Sequence, residues 1–200
     1  MSAPPVHAEV REGVLILTLN RPEVRNAFDL PMAECLEAQV DRLDADASLR
    51  AAVLTGGPQF FCAGVDLRAA ARGERPRTAA RGWFGLIEKP SVKPMVAAVE
   101  GPAYGGGFEL ALACDLIVSS KASQFALPEA SRGLIASAGG LIRLPRRLPP
   151  AIASEIALTC DPMPAERLYA LGLINRLSEP GSAMAVAIEI ATRIATHAPL

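Results

Sequence analysis

Histidine is scarce in this sequence of 200 residues. Its two histidines, His7 and His197, lie near the chain ends, where order is usually lowest. A Ser-His-Asp triad or a histidine-rich metal centre is therefore poorly supported, and no metal site is expected. If the protein is an enzyme, carboxylates and backbone amides must carry out its chemistry.

Closely spaced cysteines are also lacking. The four cysteines form no Cys-x-x-Cys pair and are widely separated, at Cys35, Cys62, Cys114 and Cys160. This spacing argues against a disulfide framework or a zinc site and predicts buried thiols in a cytoplasmic protein.

The sequence has no excess of charge of one sign and no long apolar run. Its net charge is −1, and no basic stripe with interleaved aromatic residues occurs, which argues against a nucleic-acid partner. No apolar segment reaches membrane-spanning length, and the first residues do not resemble a signal peptide, so no membrane association is expected. The Walker A and Gly-x-Gly-x-x-Gly phosphate-binding patterns are absent as well.

Half of the residues are hydrophobic, enough for one domain with a substantial core. A hairpin is predicted first, and strands then alternate with helices, which favours an α/β fold. Residues 72–81, which include four arginines and one proline, are predicted to form a mobile surface excursion, followed by a short helix over 83–88. The other predicted strands are 6–11, 14–19, 51–54, 95–99, 115–119 and 173–177, and the other predicted helices are 29–47, 151–158, 165–171 and 182–197.

The chain is organised around the glycine-rich stretch 101–115. A buried strand leads into it, Pro102 and three consecutive glycines are expected to break regular structure, and a helix follows. The first amides of a helix have no intrahelical partner, and glycine lets a ligand approach them closely. Glu109 lies in the first turn of this helix. The pattern is compatible with an oxyanion site beside a carboxylate, or with a tight turn whose acid only complements the helix dipole.

A second stretch, 60–67, repeats this pattern of apolar strand end, glycine and helix start. Asp66 is interpreted by default as the cap of the helix that follows.

Together these stretches resemble the crotonase family, the enoyl-CoA hydratase/isomerase superfamily. The similar motifs occur in the family's order along essentially the whole chain: Asn20-Arg-Pro with Asn26-Ala27, Phe61-Cys-Ala-Gly-Val-Asp-Leu67, Gly101 with Gly105-Gly-Gly-Phe-Glu-Leu110 and Asp115, Phe125-Ala-Leu-Pro-Glu129, Ser137-Ala-Gly-Gly140 with Arg143-Leu-Pro, and Ala170-Leu-Gly-Leu-Ile-Asn175.

The resemblance implies a spiral of repeated ββα units that binds acyl-CoA thioesters. It implies that the thioester oxygen lies between the amides of Val65 and Gly106, as an oxyanion hole. It also implies that Glu109 orients and deprotonates water while Glu129 supplies the proton at Cα. No cofactor is implied, because coenzyme A is part of the substrate.

Further substrate contacts are implied by motif position. Arg25 is a candidate for a CoA phosphate, and Tyr104 is either a wall of the acyl pocket or a core residue. The remaining implied contacts, largely through backbone, are Ala27, Ala63, Gly64, Asp66, Leu67 and Gly105. By contrast, Arg143, Arg146 and Arg147 are interpreted as solvated charges.

The resemblance also bears on domains and assembly. It implies a single domain over 1–200, with a spiral core over 1–180 and the start of a C-terminal helical region over 181–200. The family's remaining C-terminal helices, which form a lid and build trimers, are expected to be missing. With them, a homotrimer or a dimer of trimers is expected.

Several functions stay open. A 2-enoyl-CoA hydratase of fatty acid metabolism is favoured because both glutamates are present. A carnitinyl-CoA dehydratase, an enoyl-CoA isomerase and a non-catalytic acyl-CoA binding protein are the alternatives.

Overall fold

The computed structural model describes residues 3–198, in which strands and helices alternate. The strands are β1 (Val6–Arg11), β2 (Val14–Leu19), β3 (Ala51–Thr55), β4 (Arg77–Thr78), β5 (Gly82–Trp83), β6 (Met95–Val99), β7 (Pro102–Tyr104), β8 (Leu116–Ser120), β9 (Gln124–Ala126), β10 (Met163–Pro164) and β11 (Arg176–Ser178). The α-helices are α1 (Leu30–Ala45), α2 (Leu67–Ala71), α3 (Gly106–Ala113), α4 (Gly140–Arg147), α5 (Pro150–Thr159), α6 (Ala165–Ala170) and α7 (Ala183–Ala195).

The main sheet has six strands in the order β1-β2-β3-β6-β8-β11. β1 and β2 form the predicted antiparallel hairpin, and every other neighbouring pair in this sheet is parallel. A second sheet has the order β10-β9-β7, with β7 parallel to β9. The α/β fold class predicted from the sequence is thereby confirmed.

Both faces of the main sheet are covered, which explains why its strands are continuous hydrophobic runs. Leu15 and Leu17 of β2 point into the larger core, which also contains the buried side of α1. Val14 and Ile16 point the other way, into a smaller core that α7 closes with its alanines. Alternate side chains of one strand thus serve two cores.

Helix α1 shows how local sequence sets an element. Asp29 caps its start, since Oδ1 accepts a hydrogen bond of 3.0 Å from the Met32 amide. Leu36, Val40 and Leu43, spaced for one face, are fully buried. The helix ends at Ala45, two residues before the predicted end.

Two predictions around the glycines are wrong. The predicted helix over 83–88 is absent, because Phe84 and Gly85 adopt left-handed φ angles of 57° and 70° that interrupt a right-handed helix. Regular structure also continues where Pro102 was expected to break it, since β7 pairs with β9. The three residues of this strand, Pro-Ala-Tyr, are too few to show a detectable alternation of polar and apolar side chains.

Residues 72–81 do not form the free surface excursion that was predicted. Arg81 is only 2% exposed, and its guanidinium is tied to helix α1. Nε donates to Asp41 at 2.8 Å and Nη2 donates to Asp44 at 2.6 Å, while Nη1 donates to the carbonyl of Lys89. The end of this segment is therefore anchored against α1.

The two chain ends of the predicted domain, residues 1–2 and 199–200, lie outside the described residues. In the part that the structure describes, no helix combines the length and the apolar character needed to cross a bilayer.

Candidate active site

A cleft of about 860 Å³ opens where the glycine turn before α2, the start of α3 and the loop after β9 meet. It is lined by nearly all of the site residues predicted from the sequence: Arg25, Ala27, Ala63, Val65, Asp66, Leu67, Tyr104, Gly105, Gly106, Glu109 and Glu129. Gly64 is the exception among the predicted residues, since it lies behind the lining, packed against the backbone of Gly106.

One side of the turn that carries Val65 is fixed by the segment before α1. The Phe28 amide donates to Gly64 O at 2.8 Å, and the Asp66 amide donates to Phe28 O at 2.9 Å. These two bonds form a single parallel bridge between Phe28 and Val65. Buried Asn26 supports the same segment, because its Nδ2 lies 2.7–3.1 Å from three carbonyl oxygens, those of Gly56, Phe60 and Phe61.

Strand β7 fixes the other side of the turn. The Tyr104 amide donates to Cys62 O at 3.0 Å, within a second isolated bridge between Cys62 and Ala103. Burial raises the pKa of the Cys62 thiol to about 12, so this side chain stays a neutral packing group.

The two glycine-bearing helix starts converge. A Cβ atom added to Gly64, whose φ is +92°, would lie 2.9 Å from the nitrogen of Gly106. Within residues 3–198, neither the Val65 amide nor the Gly106 amide donates a hydrogen bond to a protein acceptor. Two unpaired donors therefore border the same cleft, one of them in the first turn of α3.

Glu109 projects from the first turn of α3 and is 3% exposed. Its Oε1 accepts a hydrogen bond of 2.8 Å from the Gly140 amide, at the start of α4. The pKa of this carboxyl is raised to about 7, chiefly by burial and also by the charge of Glu129, against the lowering effects of the Gly140 and Ala138 amides and the charge of Arg143. Its protonation state therefore changes near neutral pH.

Glu129 follows β9 and faces the start of α3. A Cβ atom added to Gly105 would lie 2.8 Å from Glu129 Oε1, so only glycine leaves room for the carboxyl there. Oε2 is buried and has no hydrogen-bond partner in the described residues. Burial raises the pKa of Glu129, and a hydrogen bond from its own amide and the charge of Arg132 lower it.

Several other predicted residues have a structural role as well as lining the cleft. Asp66 caps α2, as the default interpretation held, accepting from the Arg68 amide at 3.0 Å, and it also accepts from Arg21 Nη2 at 3.2 Å. Arg25 lies over the ring of Phe60 at 5.2 Å. Tyr104 is half-buried on the cleft wall, and its hydroxyl contacts Gln124.

Sequence reasoning missed the aromatic wall of the cleft, formed by Trp83 and Phe84. A Cβ atom on Gly106 would collide with the Phe84 ring, so this ring packs directly on the start of α3. Gly82 and Gly85 were the sequence signal for this wall, because they allow the left-handed backbone turn that directs the Phe84 ring inwards.

The interpretation of Arg143 and Arg147 as solvated charges is wrong. Both are half-buried, and both donate to backbone carbonyls: Arg143 to Ile87 O at 2.7 Å, and Arg147 to the carbonyls of Leu112, Cys114 and Asp115. Arg146 is exposed, as expected.

The cysteines differ from the prediction in one respect. Cys62 and Cys114 are buried, whereas Cys35 and Cys160 are partly exposed, and Cys160 borders the cleft. Among residues 3–198, no group of three or more histidine, cysteine or acidic side chains is placed to hold a metal ion.

A six-stranded, mostly parallel sheet with a second small sheet and two converging glycine turns is the architecture of the crotonase-like α/β proteins. The chain belongs to the enoyl-CoA hydratase/isomerase family, whose sequence model matches residues 9–200. The family assignment made from the sequence motifs is therefore confirmed.

Individual relatives agree with this assignment. The chain is 45% identical over 199 residues to a protein named carnitinyl-CoA dehydratase from Proteus mirabilis, covering 98% of this chain and 76% of the relative. The structure of an enoyl-CoA hydratase from Mycobacterium tuberculosis superposes with a TM-score of 0.96 at 51% identity, covering 98% of this chain and 78% of that one. A carnitinyl-CoA dehydratase from Mycobacterium avium superposes with a TM-score of 0.95 at 42% identity, with the same coverage.

Proposed function

We propose that the protein adds water reversibly across the 2,3 double bond of a 2-enoyl-CoA thioester. The observation that carries this proposal is that the buried carboxyl of Glu109 and the half-buried carboxyl of Glu129 line one cleft together with two unpaired backbone amides, Val65 and Gly106. Membership of the enoyl-CoA hydratase/isomerase family supports the same reaction class.

The amides provide the first part of the mechanism. Attack of water at Cβ of a conjugated thioester moves negative charge onto the thioester oxygen. The Val65 and Gly106 amides donate to this oxygen and stabilise the enolate-like state, and one such donor typically contributes about 10²–10³ in rate.

The carboxyls provide the second part. Glu109 accepts a hydrogen bond of 2.8 Å from the Gly140 amide, which holds its carboxyl in place, so it acts as the base that orients and deprotonates water. Glu129 has a buried oxygen without a partner in the described residues, which favours its protonated form, so it acts as the acid at Cα. Burial raises the pKa of both carboxyls. Because two carboxyls in one poorly solvated cleft resist joint ionisation, we expect the titration of Glu109 to be coupled to that of Glu129.

The test follows the loss of the conjugated enoyl absorbance when the protein is mixed with crotonyl-CoA. Glu109→Gln and Glu129→Gln should each lower kcat by about 10²–10⁴, because each substitution removes a proton-transfer group. The matched control is Glu155→Gln, which removes an exposed acid paired with Arg167 outside the cleft and should leave the rate unchanged.

Calorimetric binding of crotonyl-CoA to the same variants separates catalysis from binding. Retained affinity with lost turnover supports the proposed roles. Turnover that is equal in the wild type and in both glutamine variants would refute the assignment of the carboxyls. Binding without any turnover in the wild type would favour a non-catalytic acyl-CoA binding protein.

A second candidate substrate is a 2-enoyl-CoA whose acyl group ends in a quaternary ammonium, as the names of the carnitinyl-CoA dehydratase relatives suggest. Its support in this chain is the aromatic wall of Trp83 and Phe84, with Glu74 also lining the cleft. Aromatic faces attract quaternary ammonium groups. If this is the substrate, kcat/KM should favour the cationic acyl-CoA over a neutral one of equal length, and Trp83→Leu should reduce that preference.

An isomerase that moves the double bond is a further candidate, since one carboxyl can shuttle a proton between carbons. A 3-enoyl-CoA substrate separates the two reactions. If the protein is an isomerase, its Glu109→Gln variant should still convert the 3-enoyl-CoA. The proposed hydratase, in contrast, requires both carboxyls for its main activity.

A further inference from the structure

Arg143 lies on helix α4, near enough to Glu109 for the two charges to interact, and it was expected to be a solvated charge. Its Nη2 donates to Ile87 O at 2.7 Å, which ties helix α4 to the segment that follows the aromatic wall. Its guanidinium also covers Gly139, because a Cβ atom added at this glycine would collide with Nη1. Gly139, with a φ of +95°, is the N-cap of α4 and directly precedes Gly140, whose amide binds Glu109.

A second side chain also packs close to Gly139. Ile87 Cγ2 would lie 3.6 Å from the same added atom on Gly139, so the Arg143 guanidinium and the Ile87 side chain both lie beside this glycine. The position of the Gly140 amide relative to Glu109 therefore depends on a contact made by the Arg143 side chain.

The charge of Arg143 has no partner of its own. In the part of the chain that the structure describes, no carboxylate oxygen lies within the 4.0 Å of an ion pair with Arg143, although the side chain is half-buried. Half-buried arginines are normally paired, because desolvation of an isolated charge is unfavourable. The acid whose charge acts on it is Glu109.

We propose that Arg143 is a positioning residue for Glu109: it holds the Gly140 amide against the carboxylate and supplies unpaired positive charge to the same group. This inference rests on the proposed function of Glu109 as the base. Its role is separate from that of the proposed oxyanion amides, since it acts on the Glu109 carboxyl whereas those amides act on the thioester oxygen.

The electrostatic effect has a definite direction. The charged groups that act on Glu109 are Glu129, which raises its pKa, and Arg143, which lowers it. The groups that act on Arg143 are Glu109, the neighbouring Arg146 and the buried Cys114. Removing the Arg143 charge leaves Glu129 as the main charge near Glu109, so the Glu109 pKa should rise.

The first experiment titrates Glu109 without turnover. Protein labelled with ¹³C at the glutamate carboxyl carbon is followed by NMR between pH 5 and 9, and the Glu109 signal is identified by its loss in Glu109→Gln. In Arg143→Gln, which keeps a polar N–H donor on a shorter side chain but loses the charge, the Glu109 pKa should rise by about 1. In Arg143→Lys, which keeps the charge, the pKa should stay close to that of the wild type.

The second experiment measures the pH profile of kcat/KM. With a wild-type pKa of about 7 for Glu109, a rise of about 1 lowers the ionised fraction at pH 7 about fivefold. The loss in Arg143→Gln should therefore be about fivefold at pH 7 and should largely disappear at pH 9. A purely structural defect would not recover with pH.

Arg146→Gln is the matched control, because Arg146 is exposed on the same helix and contacts neither Ile87 nor Gly139. It should change neither the titration nor the profile. The inference is overturned if Arg143→Gln shows the wild-type titration of Glu109, or if its activity loss is the same at pH 7 and pH 9. If crotonyl-CoA is not turned over at all, the proposed hydratase function fails, while the NMR titration still decides the inference about Arg143.

Discussion

Gly64 and Gly106 are in backbone contact, such that a Cβ atom on Gly64 would lie 2.9 Å from the Gly106 nitrogen. Gly64 lies three residues before α2 and Gly106 is the first residue of α3, far from it in sequence, yet the approach of the two glycines determines the spacing of the Val65 and Gly106 amides. The absence of a side chain at Gly64 is therefore a geometric requirement of the proposed oxyanion hole.

Replacing Gly64 by alanine should separate the two amides and lower kcat by about 10²-fold, the contribution expected of one donor. The left-handed φ also strains alanine by roughly 1–2 kcal/mol. Gly57→Ala is the control, because Gly57 has a similar φ of +84° but no atom within 4 Å of the added carbon. Steady-state kinetics that give the same kcat for both variants would contradict the prediction.

The raised pKa of Glu109 makes folding stability depend on pH. The folded state keeps a proton on Glu109 between its ordinary value of 4.5 and about 7, where the unfolded chain has lost it. The contribution of Glu109 to the free energy of unfolding is therefore fully present below pH 4.5 and is lost as the pH rises through about 7. The total loss is about 3 kcal/mol.

Glu109→Gln removes this ionisation and keeps an oxygen for the Gly140 amide. The variant should be more stable than the wild type at pH 8, and the difference in unfolding free energy should vanish near pH 4.5. Urea unfolding at several pH values measures this difference. If the unfolding free energies of the wild type and the variant change with pH in parallel, burial of the ionised Glu109 carboxyl does not destabilise the fold.

Arg81 should be important for stability because its guanidinium is buried between two carboxylates of α1. Arg81→Met leaves Asp44, which is only 17% exposed, without its cation and should destabilise the fold by about 2–4 kcal/mol. Arg77→Met, which breaks an ion pair with Glu88 that is about half exposed, should cost no more than about 1 kcal/mol. Comparable urea midpoints for the two variants would argue against a structural role for the buried cation.

Asn26 provides another stability test, since its side-chain nitrogen serves three carbonyls. Asn26→Asp keeps the shape but directs a carboxylate at these oxygens, and should cost about 2–4 kcal/mol. Asn20→Asp, at a single exposed contact with Pro4 O, should cost less than about 1 kcal/mol. Thermal unfolding of both variants, monitored by circular dichroism, measures the difference.

The elements that were predictable from the sequence are those with strong local patterns. The hairpin over 6–19 and the buried strands are predicted by apolar runs bounded by turns. The motifs around Glu109 and Glu129 correctly indicated that both acids line one cleft. Their catalytic roles remain predictions.

What could not be predicted depends on contacts between distant residues. The anchoring of Arg81 to α1 and of Arg143 to Ile87 is invisible locally, because an arginine in a polar segment has the same sequence signature whether solvated or buried. The inward turn of Phe84 likewise depends on the space that Gly106 leaves for its ring.

The turn that carries Val65 is attached to its neighbours by two single bridges, not by extended ladders. These two bridges can open by local fluctuation while the six-stranded sheet stays intact. A fraction of the molecules can therefore be folded but inactive. The amide protons of Phe28 and Asp66 would then exchange with solvent sooner than those of β3 and β6, and their exchange rates would report the fraction of assembled sites.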